Sequence, residues 1–317
     1  MGMTRIFFTS DVLGSEVCFS KFLNAAKFYD ANVLILGGDI TGKMIVPLVQ
    51  APDGTWSGEF LGANQIAKTP QELETLERNI RFSGYYPYRT GPVEMEKLQN
   101  DKKLVDELFS KIMVEGVRRW VSLAEERLKG TKVKCYISPG NDDRLNVDEV
   151  LKASSYVLYP EDNIVMIDDH HEMITTAWVN YTPWHSPRET SEEKITAILD
   201  PMISKVNRME DCIFNLHCPP YNTPIDVAPD LDENLKPKMT GGGVNMVHVG
   251  SVAVRNAIEQ HQPLLGIHGH IHESRGFVKI GRTVCINPGS EYGEGILRGA
   301  LINIDEKKIK SYMLTQG

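Results

Sequence analysis

Apolar residues along the chain form short continuous runs separated by stretches with helical spacing. One apolar run, residues 5–9, ends just before Asp11, and a second, residues 33–36, ends before Gly38 and Asp39. Between them, apolar residues recur at helical spacing over residues 15–29. Continuous apolar runs are typical of strands buried on both faces of a parallel sheet. The pattern therefore predicts a strand, a helix and a strand, with both carboxylates at one edge of the sheet.

The same pattern returns three times after residue 131. Residues 132–138 form an apolar run that leads into Asn141 and Asp142, and residues 212–216 form a run that ends at His217. The last run leads into His268, His270 and His272, which stand at alternate positions. Side chains alternate between the faces of an extended segment, so we expect these three imidazoles to share one face. Gly269 between them lets the backbone approach the group that they surround. Because imidazole is the commonest metal-ligand side chain, the pattern predicts a metal site.

The regular alternation is interrupted between residues 42 and 131. Residues 45–50 and 56–61 predict a β-hairpin, residues 70–82 a helix capped by Thr69, and residues 93–129 helix with one or more breaks. We interpret residues 44–130 as a cap inserted into a single α/β domain that comprises residues 1–317. Its aromatic and basic residues are expected to pack the insert itself. Further along, residues 251–259 predict a helix, and short strands are expected around Val278, Cys285, Leu301 and Ile309.

Composition and charge narrow the functional classes. The 317 residues are 41% hydrophobic and 24% charged, and no stretch reaches the roughly twenty apolar residues that span a bilayer. The N-terminus runs directly into an apolar strand, so we expect no secretion. Five cysteines without paired spacing predict reduced thiols and a cytoplasmic protein. A net charge of −8 argues against binding to bulk nucleic acid or anionic membranes, and it leaves a small phosphorylated substrate as the expected partner. The oligomeric state is not predicted.

The order of these motifs resembles that of the calcineurin-like metallophosphoesterases. The resemblance implies a four-layer sandwich of two mixed β-sheets flanked by helices. It also implies a dinuclear metal centre in which Asp39 bridges two divalent ions, of Mn, Fe, Zn, Co or Ni. In this assignment Asp11 and His272 bind one ion, and Asn141, His217 and His270 bind the other.

Paired ions of this kind suit phosphate chemistry. Two divalent ions about 3.5–4 Å apart clamp a phosphate, lower the pKa of a bridging water, and stabilise the attacking and leaving oxygens of an in-line displacement. The predicted function is therefore a metal-dependent phosphohydrolase, a phosphoesterase or phosphodiesterase, in which a metal-bridging hydroxide attacks a phosphate ester or anhydride.

Two positions depart from the family pattern. Leu13 stands where the family has a histidine ligand, so we expect the ion held by Asp11 and His272 to bind weakly. Asp142 stands where the family has an imidazole that contacts phosphate, and a carboxylate beside cations neither donates a proton nor attracts phosphate. Either Asp142 supplies an oxygen to a metal, or His185 or His268 reaches in from another loop.

Asp142 and His268 are accordingly the candidate catalytic residues. In the turn at residues 182–188, His185 and Arg188 are the candidate substrate-binding residues. Two other functions remain open. The departures at Leu13 and Asp142 also suit a catalytically impaired protein that serves as a binding or interaction module. A structural metal protein ranks last, because structural zinc sites are closed and rich in cysteine, whereas these ligands are spread along strand ends.

Overall fold

The computed structural model describes residues 3–317. Its strands are β1 (Thr4–Thr9), β2 (Val33–Gly37), β3 (Ile45–Gln50), β4 (Trp56–Phe60), β5 (Ala63–Ala67), β6 (Tyr86–Thr90), β7 (Lys134–Ser138), β8 (Ile164–Met166), β9 (Glu172–Thr176), β10 (Ile213–Leu216), β11 (Val227–Pro229), β12 (Met239–Thr240), β13 (Gly243–Val244), β14 (Met246–His248), β15 (Leu265–Ile267), β16 (Gly276–Ile280), β17 (Thr283–Asn287), β18 (Arg298–Asp305) and β19 (Lys308–Gln316). The helices are α1 (Glu16–Phe28), α2 (Pro70–Phe82), α3 (Pro92–Asn100), α4 (Lys102–Leu128), α5 (Val147–Lys152), α6 (Glu192–Ile203) and α7 (Val252–His261).

Two mixed β-sheets form the centre of the molecule. The first has the strand order β19-β18-β1-β2-β7, in which β1, β2 and β7 run parallel and the other two pair antiparallel. The second has the order β16-β17-β15-β10-β9-β8, in which the four inner strands run parallel. The continuous apolar runs of the sequence are the inner parallel strands, which are buried on both faces.

The alternation of side chains along the strands builds four layers. Phe8 and Ile35 of the first sheet lie in one buried cluster with Ile213 and Leu265 of the second. Their neighbours in sequence point the other way, and Phe7 packs with α1 and α4. The outer face of the second sheet packs with α6 and α7. The molecule is therefore a four-layer sandwich of two sheets flanked by helices, as predicted.

The segment between β2 and β7 forms a third sheet with the order β5-β4-β3-β6. The predicted hairpin is β3 and β4, and α2 starts at the predicted cap, Thr69, which forms a capping box with Glu72. The last helix of the segment, α4, belongs to the outer layer of the core. Trp120 of α4 stacks on Phe19 of α1, with ring centroids 4.1 Å apart. The division into a domain and an inserted cap stays a prediction.

The parallel strands of both sheets bring their carboxyl ends to one edge of the sandwich. In the first sheet, Thr9 of β1 pairs with Leu36 of β2, and Gly37 pairs with Ser138 of β7. The loops that follow these strands carry the predicted oxygen ligands, and the loops after β10 and β15 carry the imidazoles. In the described chain, no helix has the length and apolar character needed to cross a membrane.

Candidate metal centre

Two groups of side chains converge where the strands end. In one group, the donor atoms of Asp39, His217 and His270 all lie within 4.8 Å of one another. In the other, those of Asp11, Asp39 and His272 do so. Asp39 belongs to both groups. Such shared donors create two adjoining positions at which a cation would contact several ligands.

Asn141 completes the first group. Its Oδ1 lies 3.1 Å from His217 Nε2 and 2.7 Å from His270 Nδ1. Its Nδ2 donates to Ser186 Oγ at 2.8 Å, which turns the amide oxygen towards the imidazoles. His217 is oriented in a similar way, because its Nδ1 lies 3.0 Å from the carbonyl oxygen of Gly37. A proton on Nδ1 would leave the lone pair of Nε2 for a cation, which is the usual outer-shell arrangement of a histidine ligand.

Glycines allow the backbone to approach the carboxylates. A Cβ at position 140 would lie 2.2 Å from Asp39 Oδ1, and one at position 269 would lie 2.1 Å from Ser10 Oγ and 2.4 Å from Asp11 Oδ2. These distances are far below van der Waals contact, so a side chain at Gly140 or Gly269 would displace a donor. At Gly269 the backbone thus lies close to Ser10 and Asp11, and its predicted approach to a bound group stays a prediction.

The backbone around the donors takes unusual conformations. The φ angles of Asp11, Leu13, Asp39 and His270 are 56°, 41°, 48° and 67°, in the left-handed region that glycine favours. Each such residue costs on the order of 1–3 kcal/mol, and it persists where the surroundings hold it. Here the amide of Leu13 donates to the carbonyl oxygen of Asp39 at 2.9 Å, and that of His270 donates to the Asp11 carboxylate at 3.1 Å. Strain clustered at one place is typical of functional sites.

The electrostatics of the centre favours a cation. Burial lowers the pKa of His217, but the negative charges of Asp39 and Asp11 outweigh burial and raise it to about 10. Burial and the neighbouring His217 lower the pKa of His270 to about 4, so this imidazole is neutral and free to coordinate. Asp11 and Asp39 are 1% and 2% exposed, which leaves the charge of their carboxylates unscreened by water. Mixed oxygen and nitrogen donors around buried negative charge fit divalent metal ions.

Comparison with known proteins agrees with this architecture. No family model matches the chain. The uncharacterized protein MJ1162 of Methanocaldococcus jannaschii is 32% identical over 152 residues, which are 47% of this chain and 61% of that protein. The protein TT1561 of Thermus thermophilus aligns over 100% of this chain and 99% of its own, with 13% identity and a TM-score of 0.54. Another solved structure covers 99% of each chain, with 16% identity and a TM-score of 0.58.

The two stacked mixed sheets, with the donors in the expected order at their common edge, decide the fold. The chain shares this fold with the two solved structures, and the order of its donors resembles that of the calcineurin-like metallophosphoesterases. At identities this low, the solved structures establish the fold alone. The activity has to be argued from the site.

One imidazole predicted for the site lies elsewhere. His268 is fully buried, and its Nδ1 lies 2.8 Å from the carbonyl oxygen of Leu216. The prediction that His268, His270 and His272 share one face is therefore wrong for His268, because the chain bends at His270, where the amide of Ile271 donates to the carbonyl oxygen of Gly269 at 2.7 Å, and the strict alternation ends. Burial lowers the pKa of His268 to about 4, so it is a neutral interior group. It does not reach in to replace the missing imidazole.

Arg188 is also unsuited to its predicted role. Its side chain is 2% exposed and forms an ion pair with Asp148, while its Nε donates to the carbonyl oxygen of Asp143 at 2.9 Å. These contacts occupy the guanidinium, so the prediction that Arg188 binds substrate is wrong. His185 is exposed, on the loop whose Ser186 contacts Asn141. Its role in substrate binding stays a prediction.

Asp142 has a partner that sequence reasoning missed. Its Oδ2 lies 2.7 Å from Lys43 Nζ, and its backbone amide donates to Asp39 Oδ1 at 2.9 Å. Its Oδ1 accepts from Asn141 Nδ2 at 3.1 Å. The carboxylate is thus committed to a neighbouring ammonium and amide. The only sequence signal for Lys43 was its position four residues after Asp39, at the start of the insert.

Proposed function

We propose that the protein is a metal-dependent phosphohydrolase that cleaves a phosphate ester or anhydride. The observation that carries this proposal is the pair of donor groups that share Asp39 at the carboxyl edge of both sheets. Two adjoining cation positions with a common carboxylate are the arrangement that suits phosphoryl transfer to water. The resemblance of the donor order to that of the calcineurin-like metallophosphoesterases supports the proposal without specifying a substrate.

The residues of the chain have separable tasks in this proposal. Divalent ions, when bound, would neutralise phosphate charge and acidify water. Asp39 would hold the two cation positions together, because it contributes to both groups. His217 and Asn141 would orient the first position through their own hydrogen bonds to Gly37 and Ser186. The burial of Asp39, Asn141 and His217 keeps water away from them, which strengthens their electrostatic effect.

A small phosphorylated molecule in the cytoplasm is the substrate and setting that we propose. The net charge of −8 disfavours the counterion-release binding that long nucleic acids need. An alkyl or aryl phosphate, a diester and a nucleotide anhydride all present the phosphate that the donor groups fit. A tight, salt-sensitive complex with bulk DNA would contradict this assignment.

A second function, an interaction module without turnover, is favoured by one observation. Leu13 is fully buried, and among the described residues it lies outside the four apolar clusters. A hydrocarbon at this strand end, beside Asp11, leaves the second cation position with fewer donors than the first. Loss of that ion would leave a phosphate-binding protein that does not hydrolyse its ligand.

A substrate screen with defined metal loading tests the proposal. The purified chain would be stripped of metal, loaded with Mn, and assayed with p-nitrophenyl phosphate, bis-p-nitrophenyl phosphate and nucleoside triphosphates. We expect Mn-dependent hydrolysis of at least one ester or anhydride, and its loss in Asp39→Asn. Metal binding without hydrolysis of any of these substrates would favour the interaction module.

A further inference from the structure

Lys43 lies beside the candidate metal centre. Its ammonium forms an ion pair with Asp142 at 2.7 Å, and its side chain is 47% exposed. We propose that Lys43 contacts the phosphate oxygens of the substrate and that Asp142 is the positioning residue that holds it there. This inference rests on the proposed function of the same site.

The backbone that carries Lys43 is fixed at several points. The carboxylate of Asp143 accepts from the amides of Ile40 and Thr41, at 3.0 and 2.8 Å, and from Thr41 Oγ1 at 2.6 Å. The amide of Gly42 then donates to the hydroxyl of Tyr86 at 2.8 Å. The root of the lysine side chain is therefore held in place, and only its flexible stem remains to be ordered.

Asp142 orders the end of that stem. Its carboxylate side chain is 22% exposed, its amide contacts Asp39, and the residue before it is the ligand Asn141. The ammonium is consequently held next to the residues that form the first cation position. Burial lowers the pKa of Lys43, but Asp142 outweighs it and the pKa is raised, so the side chain stays charged.

The side chain of Lys43 is half-exposed beside the candidate metal centre. The ring of Tyr292 lies edge to face with His272 at a centroid distance of 6.1 Å, and a Cβ at Gly84 would lie 3.1 Å from that ring. The mouth of the centre is thus bordered by the insert and by the turn that holds Tyr292. A half-exposed cation at such a mouth can reach a phosphate whose other oxygens face the donor groups.

The ion pair with Lys43 also offsets the repulsion between the Asp142 carboxylate and a phosphate. An isolated carboxylate would repel phosphate, but an ammonium bound to it supplies a compensating charge and up to three hydrogen-bond donors. One of these is used by Asp142, and the others are available to phosphate oxygens. Charge-assisted hydrogen bonds to phosphate are stronger than neutral ones. Loss of this contact would therefore lower both the affinity for phosphate and the rate of hydrolysis.

The test compares Lys43→Gln, Lys43→Arg, Asp142→Asn and the double variant K43Q/D142N. Lys129→Gln is the matched control, because Lys129 forms an ion pair with Glu125 at the same 2.7 Å on an exposed helix end. Each protein would be loaded with Mn, checked for metal content, and titrated with inorganic phosphate by calorimetry. Steady-state hydrolysis of the substrate found for the wild type would be measured in parallel.

We expect Lys43→Gln to weaken phosphate binding about 10- to 100-fold with unchanged metal content, since one charge-assisted contact is lost. Lys43→Arg should recover part of the loss. Asp142→Asn should weaken phosphate binding less, and it should add nothing in the Lys43→Gln background, because Asp142 acts through Lys43. Lys129→Gln should match the wild type.

The outcomes separate this inference from the proposed function. Wild-type hydrolysis together with wild-type phosphate affinity in Lys43→Gln would overturn the role of Lys43 and leave the phosphohydrolase intact. Equal losses in Lys43→Gln and Asp142→Asn that add fully in the double variant would overturn the positioning role of Asp142. Phosphate binding that depends on Lys43 in a protein without turnover would uphold the inference while the proposed function fails.

Discussion

The two sides of the candidate metal centre differ in how completely they are built. The His217 side comprises Asp39, Asn141, His217 and His270, and its central imidazole is 1% exposed. The His272 side comprises Asp11, Asp39 and His272, and the side chain of His272 is 27% exposed. The first side has four donors, of which Asn141 and His217 are held by hydrogen bonds to Ser186 and Gly37, whereas the second has three donors. We therefore expect one tightly bound ion and one weakly bound ion.

Substitution of His217 should have the largest effect on metal binding. His217→Ala removes one of four donors and the hydrogen bond to Gly37, so we expect the affinity for the tight ion to fall by more than about 100-fold, beyond the usual effect of outer-shell changes. Metal analysis of the purified variant measures the loss. His261→Ala, at the end of α7, is the control and should retain its metal. Unchanged metal content in His217→Ala would contradict the assignment.

The pH dependence of metal binding tests the role of His217 on the tight side. Without a cation the pKa of His217 is raised to about 10, so a proton competes with the tight ion for Nε2. Below that pKa, falling pH favours the protonated site, and the apparent affinity should rise about tenfold per pH unit between about pH 6 and 8 as one proton is released. Calorimetry in buffers of different ionisation enthalpy counts the proton. An affinity independent of pH would show that His217 does not bind the ion.

His272→Ala should affect only the weaker side. We expect the second ion to be lost or weakened by about 10- to 100-fold, while the tight ion stays within a few-fold of its wild-type affinity. Two-site calorimetric titration with Mn measures both constants. Loss of both ions together would mean that the two sides form one cooperative site, which would contradict two ion positions of different affinity.

Adding a ligand at position 13 should strengthen binding of the weak ion. Leu13→His places an imidazole at the strand end beside Asp11, and we expect the weak ion to bind about tenfold more tightly. Leu13→Ala is the control, because it removes the hydrocarbon and adds no donor. Equal weak-ion affinities in Leu13→His and Leu13→Ala would show that position 13 does not face the centre.

Much of the fold and the donor set could be predicted from the sequence for a physical reason. Strands of a parallel sheet bring their carboxyl ends to one edge, so polar residues that follow apolar runs converge there. Asp11, Asp39 and His217 each closely follow such a run, and the structure brings them together. Their roles as ligands remain predictions that the experiments above test.

Other residues could not be placed because their environment depends on long-range contacts. Strict alternation between His268 and His272 is ended by a bend at His270, and the sequence pattern alone does not reveal that bend. Arg188 is committed to Asp148, 40 residues away in the chain. Lys43 is committed to Asp142, on a different loop. Helix α6 was not predicted from the sequence, although Ser191 caps it by accepting from the amide of Lys194.

The most direct test of the account is a titration of metal-free protein with Mn in which ion binding and hydrolysis are followed in the same samples. We predict that the first ion binds tightly with little activity and that hydrolysis rises only as the second, weaker ion binds. Two equally tight ions, or full activity with a single ion per chain, would contradict the asymmetric dinuclear centre.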